Sequence, residues 1–297
     1  MNKKFSISTP SDFNFKECLR FLQRSDSECL FRVENEVVQF ALELEKEIFL
    51  IHLYWRKEQL RVEILKGELN FFFKKIIANY ILEWFDVRRD LTDFNKICKK
   101  DRLLKNICQQ NQGLRLIGVP SFLEAISWAI IGQQINLTFA YSLKKRLVEN
   151  FGQKIEFEGK DFFLFPTAEV IAKLTEDDLR PHQFSRSKIK YLTGVGKAID
   201  SGAISKKMLL PLSYEEAKVK LIEHKGVGNW TADYVLMKCL RCPDAFPITD
   251  VGIHNAIRKE LNLEKKPSIE SIEEMAKNWV GWKSYATFYL WHSLLVD

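Results

Sequence analysis

No apolar run in this 297-residue sequence approaches the roughly 18 to 20 residues that a bilayer-spanning helix needs, so no membrane anchor of that kind is expected. The opening MNKKFSISTPSDFNF lacks the apolar core of a signal peptide, and a cytoplasmic protein is the expectation. Cysteine is scarce. Cys18, Cys29, Cys98, Cys108, Cys239 and Cys242 are scattered along the chain, which argues against a disulfide scaffold and fits free thiols in a reducing compartment. The one close pair, Cys239 and Cys242 in MKCLRCPD, reads as half a zinc site or as core. No second CxxC follows, and His254 is the only downstream histidine before His292, so core packing is favoured.

What is present is ordinary globular material: 46% hydrophobic and 28% charged residues, enough for two or three core-containing units. The 45 basic against 39 acidic residues leave a formal charge of +6. That excess permits a polyanionic partner without requiring one. No heptad or long exposed apolar stripe points to self-association, and a monomer is expected.

Residues 28 to 67 contain short apolar runs with partial alternation, such as Phe31 and Val33 and later Leu60, Val62 and Ile64, separated by polar turns. This pattern predicts a small, mostly antiparallel sheet. Beyond about residue 87 the texture becomes helical periods broken by glycine, so an α+β protein is expected. Residues 1–105 form its N-terminal α+β domain and residues 106–297 its larger, all-helical domain. SFLEAISWAIIGQQ opens with a capping-box pattern, Ser121 with Glu124, and the next helix carries Leu143, Leu147 and Val148 inward before stopping at Gly152.

The tripeptide Gly-Val-Gly occurs twice. Around the first copy, Ile189, Leu192, Val195 and Ile199 fall on one helical stripe, so Gly194 and Gly196 read as helix-interior residues and Gly202 as the stop. The second copy, in SYEEAKVKLIEHKGVGNWTADYVLMKCL, follows a capped helix that starts at Ser213 and precedes a new one from Asn229. A hairpin of two helices at about 213–242 results. The amides of Gly226 and Gly228 then sit unshielded at the positive end of a helix dipole, beside Lys225. Such a turn is either a plain glycine cap or an anion site suited to one backbone phosphate.

The run HKGVGNWTADY followed by AFPITDVGI resembles the helix-hairpin-helix and catalytic-aspartate segment of the base-excision DNA glycosylases, and more narrowly of the DNA-3-methyladenine glycosylase II family. DFNKIC, GLRLIGVPSFLEAISWAIIGQQIN and WVGWKSYATFYLW extend the resemblance over about residues 86 to 293. It implies base flipping from double-stranded DNA and hydrolysis of the N-glycosidic bond of a damaged purine, with Asp250 as the charge-stabilising carboxylate. On its residues alone Asp250 reads equally as a helix N-cap, and the two roles are compatible.

The same resemblance makes Trp230, Tyr234 and Trp291 the walls of the base pocket. Without it they read as core aromatics, although Trp230 and Tyr234 lie four apart on one helix face. Aromatic faces suit a purine made cationic by alkylation. The resemblance further assigns DNA contacts to Lys225, Gly226, Gly228 and Thr231, and the intercalating wedge to Gln134, where a studied bacterial relative has an apolar residue. It offers a monovalent cation site on the carbonyls of Ile222, His224 and Val227. Relatives that also cut the backbone carry a lysine nucleophile where Trp230 stands, so a monofunctional enzyme is expected. No cysteine follows Cys242, which excludes the iron-sulfur cluster of other branches, and no cofactor is required. The alternatives are an oxidised-base glycosylase and a non-catalytic hairpin protein that binds DNA.

Overall fold

Alternation of apolar and polar residues builds the N-terminal sheet. The protein is described here by a computed structural model covering residues 3–295. Strand β1 (Lys4–Ser8) and helix α1 (Phe15–Leu22) precede β2 (Phe31–Glu34), β3 (Val37–Leu44), β4 (Glu47–Arg56) and β5 (Gln59–Lys66). The order across the sheet is β1-β5-β4-β3-β2, antiparallel throughout. Leu60, Val62 and Ile64 are buried, and two of them face Leu53 and Ile51 across the ladder, as period two requires. Successive strands from β2 to β5 are joined by residue pairs with positive φ: Asn35 and Glu36, Glu45 and Lys46, Lys57 and Glu58. Those turns match the right-handed twist of the strands they join.

Helices follow: α2 (Phe71–Trp84), α3 (Thr92–Lys100), α4 (Leu104–Gln110), α5 (Phe122–Gly132) and α6 (Leu137–Phe151). After a hairpin of β6 (Gln153–Phe157) and β7 (Lys160–Leu164) come α7 (Ala168–Lys173), α8 (Glu176–Leu179), α9 (Arg186–Asp200), α10 (Lys206–Leu209) and α11 (Tyr214–Ile222). The chain ends with α12 (Asn229–Lys238), α13 (Val251–Glu260), α14 (Ile269–Ala276) and α15 (Lys283–Ser293). One hydrophobic core runs from Ile7 in β1 to Leu290 in α15, so sheet and helices share their packing.

Three local expectations are corrected. The larger region is not all helix, because β6 and β7 form an antiparallel pair whose Ile155 and Phe162 pack on Leu50 of the sheet. Lys160 bonds Glu34 and Arg32 donates to the Asp161 carbonyl, so this hairpin is stitched to the sheet. Cys98 and Cys108 are not free thiols. The adjacent α3 and α4 bring their Cα atoms to 6.2 Å, within disulfide range, and they are bonded to each other. Ser121 caps α5 through the Glu124 amide, but the Glu124 side chain does not complete a capping box; it goes to Lys144 at 2.9 Å. Cys239 and Cys242 are free; burial of Cys239 pushes its thiol up to about 12.

Four packing contacts set the site. Helix α12 lies against α5 and α11, α5 against α9, and α13 against α15. The α11–α12 hairpin is pinned from inside: Tyr214 donates to the buried Asp233 at 2.6 Å and Lys218 bonds the same carboxylate at 3.0 Å. Ser213 and Glu216 form the full capping box that starts α11.

Candidate active site

The hairpin turn leaves its amides open. Gly226 has φ +93°, the left-handed region that glycine adopts without penalty, and a Cβ there would lie 2.1 Å from Cγ of Tyr191. The Val227 amide donates to the His224 carbonyl at 3.0 Å, whereas those of Gly226, Gly228 and Asn229 donate to nothing among the described residues. Gly228 is the N-cap of α12 and offers no side chain to cap it. Lys225 is exposed beside them. The result is an outward-facing cluster of donors at a helix N-terminus.

Helix α12 carries Trp230 and Tyr234 one turn apart, with ring centroids 5.7 Å apart and planes inclined by 28°. Trp291, from α15, continues the wall at 6.1 Å from Tyr234. These three rings and Asp250 line one cavity of about 420 Å³, which lies within the usual range for a small-molecule site. All four residues named from sequence for the base pocket are thus brought together.

Asp250 does what an N-cap does and more. Its Oδ1 accepts from the amides of Gly252 (2.8 Å) and Ile253 (3.3 Å), the first donors of α13. The same oxygen accepts the indole N–H of Trp291 at 2.8 Å, and Oδ2 accepts that of Trp230 at 2.8 Å. The tryptophans are therefore not walls alone; they clamp the carboxylate from both sides. Gly252 leaves the room this takes, since a Cβ there would be 2.8 Å from Asp250 Oδ1 and 3.0 Å from Trp291 Cδ1. Spacing along the sequence carries no sign of these two indole bonds, because they join residues 20 and 41 positions away.

The loop after α5 edges the cavity with Gly132, Ile135, Asn136 and Leu137. Gln134 is exposed there with φ +57°, so its side chain leads a tight turn outward. Gln133 does the opposite: its Nε2 donates to the Gly226 carbonyl at 2.8 Å and to the Thr231 hydroxyl at 2.9 Å. This latch couples the loop to the hairpin, and it places the Thr231 side chain, 2% exposed, inside the protein rather than on an outer face. Lys188 of α9 braces the same loop, donating to the carbonyls of Ile130 (3.2 Å) and Gln133 (2.8 Å). Burial pulls its amine down to about 8. Neither Gln133 as latch nor Lys188 as brace is foreseeable from local pattern.

Ile222, His224 and Val227 lie on the hairpin with their carbonyls, that of His224 being already engaged by the Val227 amide. Among the described residues no cluster of histidine, cysteine, aspartate and glutamate side chains is placed to hold a metal ion.

The sequence pattern of a family described as HhH-GPD superfamily base excision DNA repair protein matches residues 127–281. The chain is 39% identical over 297 residues to a DNA-3-methyladenine glycosylase of Bacillus subtilis (strain 168), covering 99% of this chain and 98% of that one. Among solved structures, a 3-methyladenine DNA-glycosylase from Archaeoglobus fulgidus superimposes with a TM-score of 0.83 at 25% identity, covering 97% of both chains. An 8-oxoguanine glycosylase/lyase of Clostridium acetobutylicum, at 19% identity and TM-score 0.75 over 98% of this chain and 96% of its own, shares the fold.

Proposed function

We propose, from the premise that this chain belongs to the HhH-GPD superfamily of base excision DNA repair proteins and within it to the DNA-3-methyladenine glycosylases, that it hydrolyses the N-glycosidic bond of alkylated purines in duplex DNA. The observation that carries this reading is a carboxylate set in the wall of an aromatic cavity and bonded to Trp230 of the hairpin whose turn leaves its amides open.

The duplex backbone is held by the open amides of Gly226 and Gly228 and by Lys225, which grip one phosphate at the N-terminus of α12. The damaged nucleotide leaves the stack, and Gln134 fills the gap from its exposed turn. The base enters among Trp230, Tyr234 and Trp291, where π-faces attract a cationic purine by about 0.5 to 2 kcal/mol. As the bond to the base lengthens, positive charge gathers on the sugar, and Asp250 stabilises it and orients water. The two indole bonds hold that carboxylate in place beforehand, so no reorganisation is needed as charge develops. Thr231 serves this assembly through its hydroxyl bond to Gln133. A monovalent cation on the carbonyls of Ile222, His224 and Val227 would add positive charge at the phosphate.

Trp230 stands where a backbone-cutting enzyme needs an amine, which favours a monofunctional enzyme over the oxidised-base type. Borohydride then traps no covalent enzyme–DNA adduct. The direct test is Asp250→Asn assayed on duplexes bearing 3-methyladenine or 7-methylguanine. Base release should fall on the order of 10²- to 10³-fold while affinity for the duplex persists and weakens with added salt. Full-speed release by a folded Asp250→Asn protein would remove the basis of the reading.

A further inference from the structure

The charged groups that line the cavity are of both signs. Near the hairpin, Asp250 is an acceptor whose oxygens are engaged by the two indoles and two amides. Two basic side chains, Arg24 and Lys238, line the same cavity. Lys238 is committed: its amine donates to the Ile117 carbonyl and lies between the rings of Phe21 and Phe288, 4.7 and 4.6 Å from their centroids. Arg24 is not committed. It follows α1, so it comes from the N-terminal region, and its guanidinium lies 3.9 Å over the Phe21 ring and 5.5 Å from that of Tyr141. One of its N–H groups donates to the Phe21 carbonyl at 3.0 Å. No carboxylate pairs with it among the described residues, and the nearby Glu28 and Glu124 both bond Lys144, at 3.0 and 2.9 Å.

A guanidinium offers five N–H donors in a planar fork and no acceptor. Held flat on an aromatic ring with most of those donors unspent, it suits a partner with two adjacent acceptors. We propose that Arg24 reads the extruded base, donating to the 6-oxo oxygen and N7 of a neutral purine such as hypoxanthine, and so sets how the enzyme divides its activity between neutral and cationic lesions. This rests on the glycosylase reading above and names a specificity-determining residue for the same cavity. An arginine fork matches the O6 and N7 edge of an oxopurine in two hydrogen bonds.

The reaction gives this contact a larger role for neutral bases. The C1′–N9 bond breaks with its electron pair going to the purine, the oxygen of water adds to C1′, and one proton of that water ends on the purine. Arg24 keeps its protons throughout. A neutral purine gathers negative charge as it leaves, which donors at O6 and N7 stabilise. A purine alkylated at N7 has lost that acceptor and with it the two-bond match, and it starts cationic and leaves neutral, so any single bond from Arg24 to O6 is offset by charge repulsion.

The test compares single-turnover release of hypoxanthine and 7-methylguanine from otherwise identical duplexes by the wild type, Arg24→Met and Arg24→Lys. Arg24→Met should slow hypoxanthine release about 100-fold, the scale of losing one preorganised donor set. It should leave 7-methylguanine release within about threefold, which also shows that the variant is folded. Arg24→Lys, with charge but no fork, should fall between. Equal losses on both lesions, no loss on either, or no hypoxanthine release by a wild type that releases 7-methylguanine would each overturn the assignment of Arg24. A wild type that releases neither base overturns the glycosylase reading, and this proposal with it.

Discussion

The two Gly-Val-Gly tripeptides, at 194–196 and 226–228, are the same in sequence and opposite in setting. Both bury their central valine, Val195 at 1% and Val227 at 4% exposure. The first lies wholly within α9, where Gly196 lets α7 approach so closely that a Cβ would sit 2.8 Å from Ile171 Cγ2 and 2.9 Å from the Ala172 amide. The second lies between two helices, where Gly226 turns the chain into the left-handed region and Gly228 leaves donors open. The first pair serves packing, and the second leaves backbone donors open at a helix start. What separates them is context: apolar period on both sides of one copy, a helix end and a helix start flanking the other.

Substitution by alanine sharpens the contrast, beginning with the largest effect. Gly226→Ala adds a left-handed penalty of about 1 kcal/mol to overlap with Tyr191, and shifts the carbonyl that Gln133 holds. It should destabilise the protein by about 2 to 4 kcal/mol in urea unfolding and also weaken duplex binding. Gly196→Ala meets Ile171 and Ala172 without touching the turn. A loss of about 1 to 3 kcal/mol is expected, with duplex affinity of the folded protein unchanged. Gly194→Ala has nothing within 4 Å of the new methyl and stands mid-helix, so a gain of about 0.5 to 1 kcal/mol in the same unfolding experiment is expected. Should Gly194→Ala weaken DNA binding as Gly226→Ala does, the division of labour between the two copies is wrong.

Much of this could be read along the chain because it is local. The stripe Ile189, Leu192 and Val195 is buried as its spacing requires, and Gly202 follows α9 with φ +75°. Asp250 caps α13, and Ser213 starts α11. Caps, periods and turns act over a few residues, so their residues carry them. The missed features depend on how elements pack as well as on local pattern. The strands β6 and β7 pair with each other across a short turn, but the surface that buries Ile155 and Phe162 is Leu50, about a hundred residues earlier. Cys98 and Cys108 are ten positions apart, and only the packing of α3 on α4 brings them together.

The site divides in the same way. The hairpin turn with its open amides, the aspartate and the three aromatic residues are nameable from sequence, because hairpin chemistry and family pattern are linear properties of the chain. That Trp230 and Trp291 donate to opposite oxygens of Asp250, that Gln133 ties the loop after α5 to the hairpin, and that Arg24 reaches the cavity from the N-terminal region were decided by tertiary packing alone. A hydrogen bond needs its two atoms within about 3 Å in a set direction. No spacing along a sequence states where α1, α5, α12 and α15 will meet.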